Sequence, residues 1–268
     1  VTRMSESVSL IQAQYTKAHL RHHKVIQYSR IAILIIFLAI WELSTDMHWI
    51  DGFFFSSPSR VIRCFITLLK EQHLLSHIGI TLMETLISFG LVTIISLFSA
   101  MLLWYSTKLS EISEPFLVVL NSLPKSALAP LFIVWLGSGI KTIIVAGISV
   151  AIFGSIISLY AGFKQVDQEK AKLIYTLGGN KQDVFSKVVL PGSIPILFSA
   201  MKVNIGLALV GVVIGEFLSA RKGLGYLIIY GSQVFRLDYV IMSIIVLCII
   251  AILLYQIIQL LEHYYKKH

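Results

Sequence analysis

Six apolar runs, each long enough to cross a bilayer, constrain this chain more than anything else in it. They cover Ile26–Leu43, Ile78–Trp104, Phe116–Leu136, Ile140–Phe163, Ile194–Leu218 and Val240–Leu261. A helix needs about 20 such residues to span the hydrocarbon, so the expected fold class is all-α: a polytopic membrane protein with about six transmembrane helices. The second run is long enough to need tilt. The third contains Pro124 and Pro130, so a kink or break is expected there. Only 13% of the 268 residues are charged, against about a quarter in soluble domains.

The net charge of +8 matters through its placement. With both termini inside, thirteen Lys and Arg residues fall in cytoplasmic segments and seven in outer ones, the bias expected for that orientation. The first run starts past residue 25 and lacks a small-x-small cleavage site, so it is expected to remain as an anchor. The expected organisation is a cytoplasmic tail over 1–25, a transmembrane domain over 26–262 containing a cytoplasmic loop at 164–191, and a cytoplasmic tail over 263–268. Cys64 and Cys248 form neither a disulfide framework nor a metal-ligand pair. Residues 58–75 read as an amphipathic helix, either lying on the outer membrane surface or packed against other spans.

The loop residues 169–191 read EKAKLIYTLGGNKQDVFSKVVLP. Asp167 can cap a first helix with Ala171, Ile174 and Leu177 at helical spacing, beside Leu173. Gly178–Gly179 can end it. Asn180 suits the N-cap of a second helix, with Asp183 favouring its positive end. That helix carries a stripe of Val184, Phe185, Val188 and Val189, and Pro191 is expected to stop it. The stripe can pack on the chain's own spans or dock into a separate soluble subunit. A DNA-reading helix-turn-helix is disfavoured because both ends are tied to spans, so no nucleic-acid partner is expected.

The spacing Gly178, nine residues, then Val188-Val189-Leu190-Pro191 resembles the cytoplasmic signature of permease subunits of ATP-binding-cassette importers. SSPSRVI (56–62), NSLPKSALAPLFIVWLGSG (121–139), PGSIPIL (191–197) and GEFLSARKGLGYLI (215–228) resemble the branch serving nitrate, sulfonate, taurine and pyrimidine thiamine precursors. The resemblance implies the type I importer permease fold and a coupling loop that seats on a separate ATPase. It also implies an extracytoplasmic solute-binding protein and a second permease copy as a homodimer in the cell membrane. Coupling residues would be Glu169, Lys172, Gly178, Gly179, Asn180, Val184, Phe185, Val188, Leu190 and Pro191. The family's Glu-Ala-Ala is replaced here by Lys172-Leu173-Ile174, with Glu169 one helical turn earlier. No GxxxxGK[ST] loop is present, so the chain is not expected to be an enzyme or to bind a cofactor; ATP and Mg would belong to the ATPase.

Charged and polar groups within spans are candidate path residues: Glu84, Asn121, Lys125 and Asn204, with Lys125 the one an anionic solute would favour; the solute is expected to be small and anionic or heterocyclic. Lys202 is expected to snorkel and Glu216 to pair with Arg221 or Lys222. Gly206, Gly211 and Gly215 read as a helix-packing stripe. The HLRHH cluster at 19–23 reads as a basic tail meeting anionic lipid. A secondary transporter would show repeated halves, and a membrane enzyme would show clustered catalytic groups; neither pattern is present.

Overall fold

The computed structural model describes residues 25–267 except Gln27 and Gln72; the HLRHH cluster lies outside them. The described residues are helical, without a strand. Two compact units divide the chain near Arg63. The first contains α1 (Tyr28–Asp46) and the short α2 (Gly52–Phe55), and it ends within α3 (Pro58–Lys70). Asp51 caps α2 by accepting from the Phe53 amide at 2.8 Å, and the Arg60 guanidinium donates to the Gly52 carbonyl at 2.8 Å. The helix expected over 58–75 forms and stops at Lys70.

The second unit holds α4 (His73–Tyr105), α5 (Thr107–Ser122), α6 (Lys125–Leu136), α7 (Ile140–Lys164) and α8 (Gln168–Thr176). These are followed by α9 (Lys181–Val184), a π-helical turn at Phe185–Val189, and α10 (Leu190–Gly192). α11 (Ile194–Ser219), α12 (Leu224–Gln233) and α13 (Leu237–Lys267) complete it. Five single helices are long and apolar enough to span a membrane: α1, α4, α7, α11 and α13. The sixth expected span is the pair α5 and α6, bent by 96°. Leu123 is extended (ψ 139°) as the residue before Pro124, where the proline ring disfavours helical backbone. Pro130 leaves α6 unbroken, so one of the two prolines makes the break.

α7 is the central helix, packed against α4, α5, α6 and α11. Its contact with α11 is backbone to backbone. A Cβ on Gly211 would lie 2.7 Å from the Ala146 carbonyl oxygen, and one on Gly215 would lie 2.8 Å from Ile143 Cα. The glycine stripe therefore packs within the chain, except at Gly206, where nothing lies within 4 Å. At mid-depth three helices share a hydrogen-bonded chain. Asn204 Nδ2 donates to Ser155 Oγ at 2.7 Å, and Ser155 Oγ donates to Ser96 Oγ at 2.9 Å.

Candidate functional site: the elbow and the polar path

The sequence between α7 and α11 folds into an elbow by the rules its residues suggest. Asp167 caps α8, accepting from the Glu169 amide at 2.9 Å. Gly178 takes φ +83°, a left-handed conformation that glycine adopts without a Cβ clash. Asn180 and Asp183 then form a reciprocal capping box, with bonds of 2.9 and 3.0 Å. The Asn180 amide and the Lys187 ammonium hold the Asp183 carboxyl below the usual carboxylate range. Pro191 does not stop the helical path. It sits in α10, which continues directly from the π-helical turn through the Leu190 amide's bond to the Phe185 carbonyl, and α11 begins three residues later.

The packing decides between the two readings of the apolar stripe for most of its members. Val184 is 1% exposed, Phe185 7% and Val189 3%, all in one core with Ala100, Leu159, Phe163 and Ala200. The Phe185 ring lies 5.2 Å from Trp104, 5.4 Å from Tyr105 and 5.7 Å edge-on from Phe163, within the range of favourable aromatic pairs. Lys181 Nζ donates to the Tyr105 carbonyl at 2.8 Å at the C-terminus of α4, where a cation is favoured. The stripe thus fastens the elbow to the ends of α4 and α7. Val188 and Leu190 are half-buried, while Pro191, Glu169 and Lys172 are exposed. A second apolar set faces outward on α8 and just beyond it: Leu173 at 58%, Tyr175 at 49% and Leu177 at 75% exposure. Sequence spacing set Leu177 with Ala171 and Ile174, and Leu173 beside them. Only the packing shows that these two remain uncovered.

At the opposite end of the bundle, Glu216 is buried. It pairs with neither Arg221 nor Lys222. Thr81 Oγ1 donates to it at 2.7 Å and the Gly225 amide at 2.5 Å, while the Leu224 amide donates to Thr81 Oγ1 at 2.9 Å. Glu216 therefore caps the N-terminus of α12, where an acidic group is stabilised, and joins it to α4. Glu84 is buried on the same helix as Thr81. Lys202 pairs with Glu262 at 2.7 Å instead of reaching solvent alone.

At mid-depth lies the α5–α6 break. The Lys125 ammonium donates to the Leu120 carbonyl and, at 3.1 and 3.0 Å, to those of Asn121 and Leu123. It thereby satisfies carbonyls that the end of α5 leaves without helical partners. The Asn121 carboxamide rests against Gly154, near the middle of α7. The four path candidates divide accordingly. Asn121, Lys125 and Asn204 lie along the middle of α7 or α11, and Glu84 belongs to the far end.

A family model described as "Binding-protein-dependent transport system inner membrane component" matches residues 92–267. That span takes in every helix from α5 to α13, the elbow included. The chain belongs to this family. It is an ATP-binding-cassette importer permease subunit, a multi-pass membrane protein that carries solute and is not itself an enzyme. It is 29% identical over 231 residues to a probable ABC transporter permease protein of Haemophilus influenzae, covering 86% of this chain and 94% of that one. It is 27% identical over 192 residues to the formylaminopyrimidine transport permease protein ThiX of Halalkalibacterium halodurans, covering 72% and 76%. Its fold is similar to an inward-facing structure of the MetNI methionine ABC transporter, with TM-score 0.64 and 19% identity over 71% of this chain and 94% of that one. The type I importer permease fold expected from the sequence is the one observed.

Proposed function

We propose that this permease forms one half of a homodimeric pathway for a small organic solute, of the class carried by sulfonate, taurine or pyrimidine-precursor importers. An extracytoplasmic binding protein delivers the solute. The elbow faces the cytosol, with both termini on the same side, and a separate ATPase that uses ATP and Mg seats on it. The observation that carries this reading is the elbow's two apolar faces. One, centred on Phe185, is sunk into the ends of α4 and α7; the other, Leu173 and Leu177 at four-residue spacing, is left exposed. A helix seated in a partner's groove needs such an exposed face, and the buried face gives its displacement a rigid route into the spans. Lys172 and Glu169, both exposed on α8, are the charges such a partner would meet in place of the family's Glu-Ala-Ala.

Co-expression with a candidate partner ATPase tests the proposal. Leu173→Asp with Leu177→Asp is expected to abolish co-purification while the permease still inserts, because both side chains are already exposed. A complex that survives the double substitution overturns the docking role. Labelling of a cysteine placed at Asn180 from outside intact cells would overturn the orientation.

A further inference from the structure

Among the described residues, Glu84 at 2% exposure and Glu216 at 1% are the only buried acids, and neither forms an ion pair. Glu84 follows Thr81 by three residues on α4, so the two share a face of the helix. Thr81 bonds Glu216, and the Glu84 carboxyl meets that of Glu216 across the α4–α11 contact. The charged groups of the surrounding elements are occupied elsewhere or stand at the surface. Lys141 of α7, and Arg221 and Lys222 ahead of α12, are exposed. Lys125 of α6 lies over Phe153, ten residues along α7 from the Ile143 that packs at Gly215, a rise of roughly 15 Å. On α13, Asp238 acts on Cys64 and the Tyr239 hydroxyl accepts from Arg236. His77 of α4 accepts from the Gly223 amide and stacks on Tyr226 of α12.

The hydrogen bonds show what this pair lacks. Glu216 accepts from Thr81 Oγ1 and from the Gly225 amide, and Gly223 and Gly225 press so closely on its carboxyl that neither position has room for a Cβ. Glu84 Oε2, by contrast, is buried with no partner. Thr85, Ser193 and Ser243 also hold buried oxygens without partners, but these are neutral hydroxyls, far cheaper to leave unmatched than a charge. Two ionised carboxylates only accept and cannot bond each other, whereas one proton makes Glu84 a donor. That proton also removes one of two unpaired charges held away from water. We propose that Glu84 and Glu216 form a proton-binding site, in which one proton carried on Glu84 and donated to Glu216 closes the joint between α4, α11 and the start of α12. Loss of the proton to water leaves two like charges in contact, so opening of this joint and release of the proton are linked, and the joint weakens as pH rises. The inference stands on the far end of the bundle alone and does not depend on what docks at the elbow.

The test uses the full-length permease in a detergent that has no carbonyl group. Infrared difference spectra between light and heavy water near neutral pH are expected to show the carbonyl stretch of a buried, protonated carboxylic acid, and Glu84→Gln to remove it. The amides of Leu224 and Gly225 are expected to lose protection as pH rises, beyond the ordinary base-catalysed increase, by up to roughly tenfold for each pH unit. Glu84→Gln keeps a donor toward Glu216 without a titrating proton, so their protection should stay within about twofold over the same range. Absence of the acid band from the unsubstituted protein overturns the site, whether or not the variant folds. A band that appears only when sodium is removed, marking a cation site, overturns it too. So does a pH response of Leu224 and Gly225 that Glu84→Gln leaves unchanged.

Discussion

At the far end of the bundle, Glu216 gathers a threonine hydroxyl and the amides that open α12. At the elbow end, Phe185 fills a socket of Trp104, Tyr105 and Phe163. Both joints tie α4 to the segment around α11, yet they resist movement differently. Hydrogen bonds weaken steeply with angle and with a few tenths of an ångström, so the polar joint holds one geometry. The aromatic joint is close-packed, and its many weak contacts have no single direction but are lost together if a gap opens. In the proposed coupling, the close-packed socket would pass the elbow's displacement into the spans while the polar joint holds the far end.

The largest expected effect comes from breaking the aromatic joint. Phe185→Ala empties a buried socket and should cost about 3–5 kcal/mol, seen as a lower thermal unfolding midpoint of the solubilised protein; Phe185→Leu should lose less. If the two substitutions are equally mild, the socket is not what anchors the elbow. Next is the polar joint. Glu216→Gln turns an amide donor toward groups that are themselves donors, and should cost about 1.5–3 kcal/mol with local loss of amide protection at Leu224 and Gly225. Protection lost instead across the whole bundle would mean that the joint is not local to α12.

The glycine stripe sharpens the contrast between covered and open positions. Gly211→Ala must push α7 from α11 and should cost about 1–3 kcal/mol, whereas Gly206→Ala, facing open space, should be neutral or stabilising by up to about 1 kcal/mol. Equal effects at the two sites would refute the backbone contact. The smallest effect is on the elbow's capping box. Because Asp183 titrates below the usual carboxylate range in the folded elbow, its contribution is complete above the ordinary aspartate pKa. It fades as pH falls through the lowered value. Asp183→Asn should mimic the acidic state at neutral pH, with faster hydrogen exchange at Asn180–Val184 and little change elsewhere. Unchanged exchange would show the box to be incidental.

Much of this was legible in the chain before any fold was known. The apolar runs determine the spans because a bilayer admits only helices long and apolar enough to satisfy their own backbone. Asp167, Gly178, Asn180 and Asp183 determine the elbow's turns because capping acts over three or four residues. Proline chemistry marked the broken span, though it could not say that Pro124 breaks it and Pro130 does not.

What tertiary structure decided was which side of each polar or apolar group met a partner distant in sequence. Phe185 is a fastening because Trp104 and Phe163 converge on it. Glu216 is a cap because Thr81, 135 residues away, reaches it before Arg221 does. Lys125 completes a helix end rather than standing free. Spacing along one helix fixes which residues share a face, but not what that face meets, because the meeting depends on contacts between segments that periodicity alone does not relate.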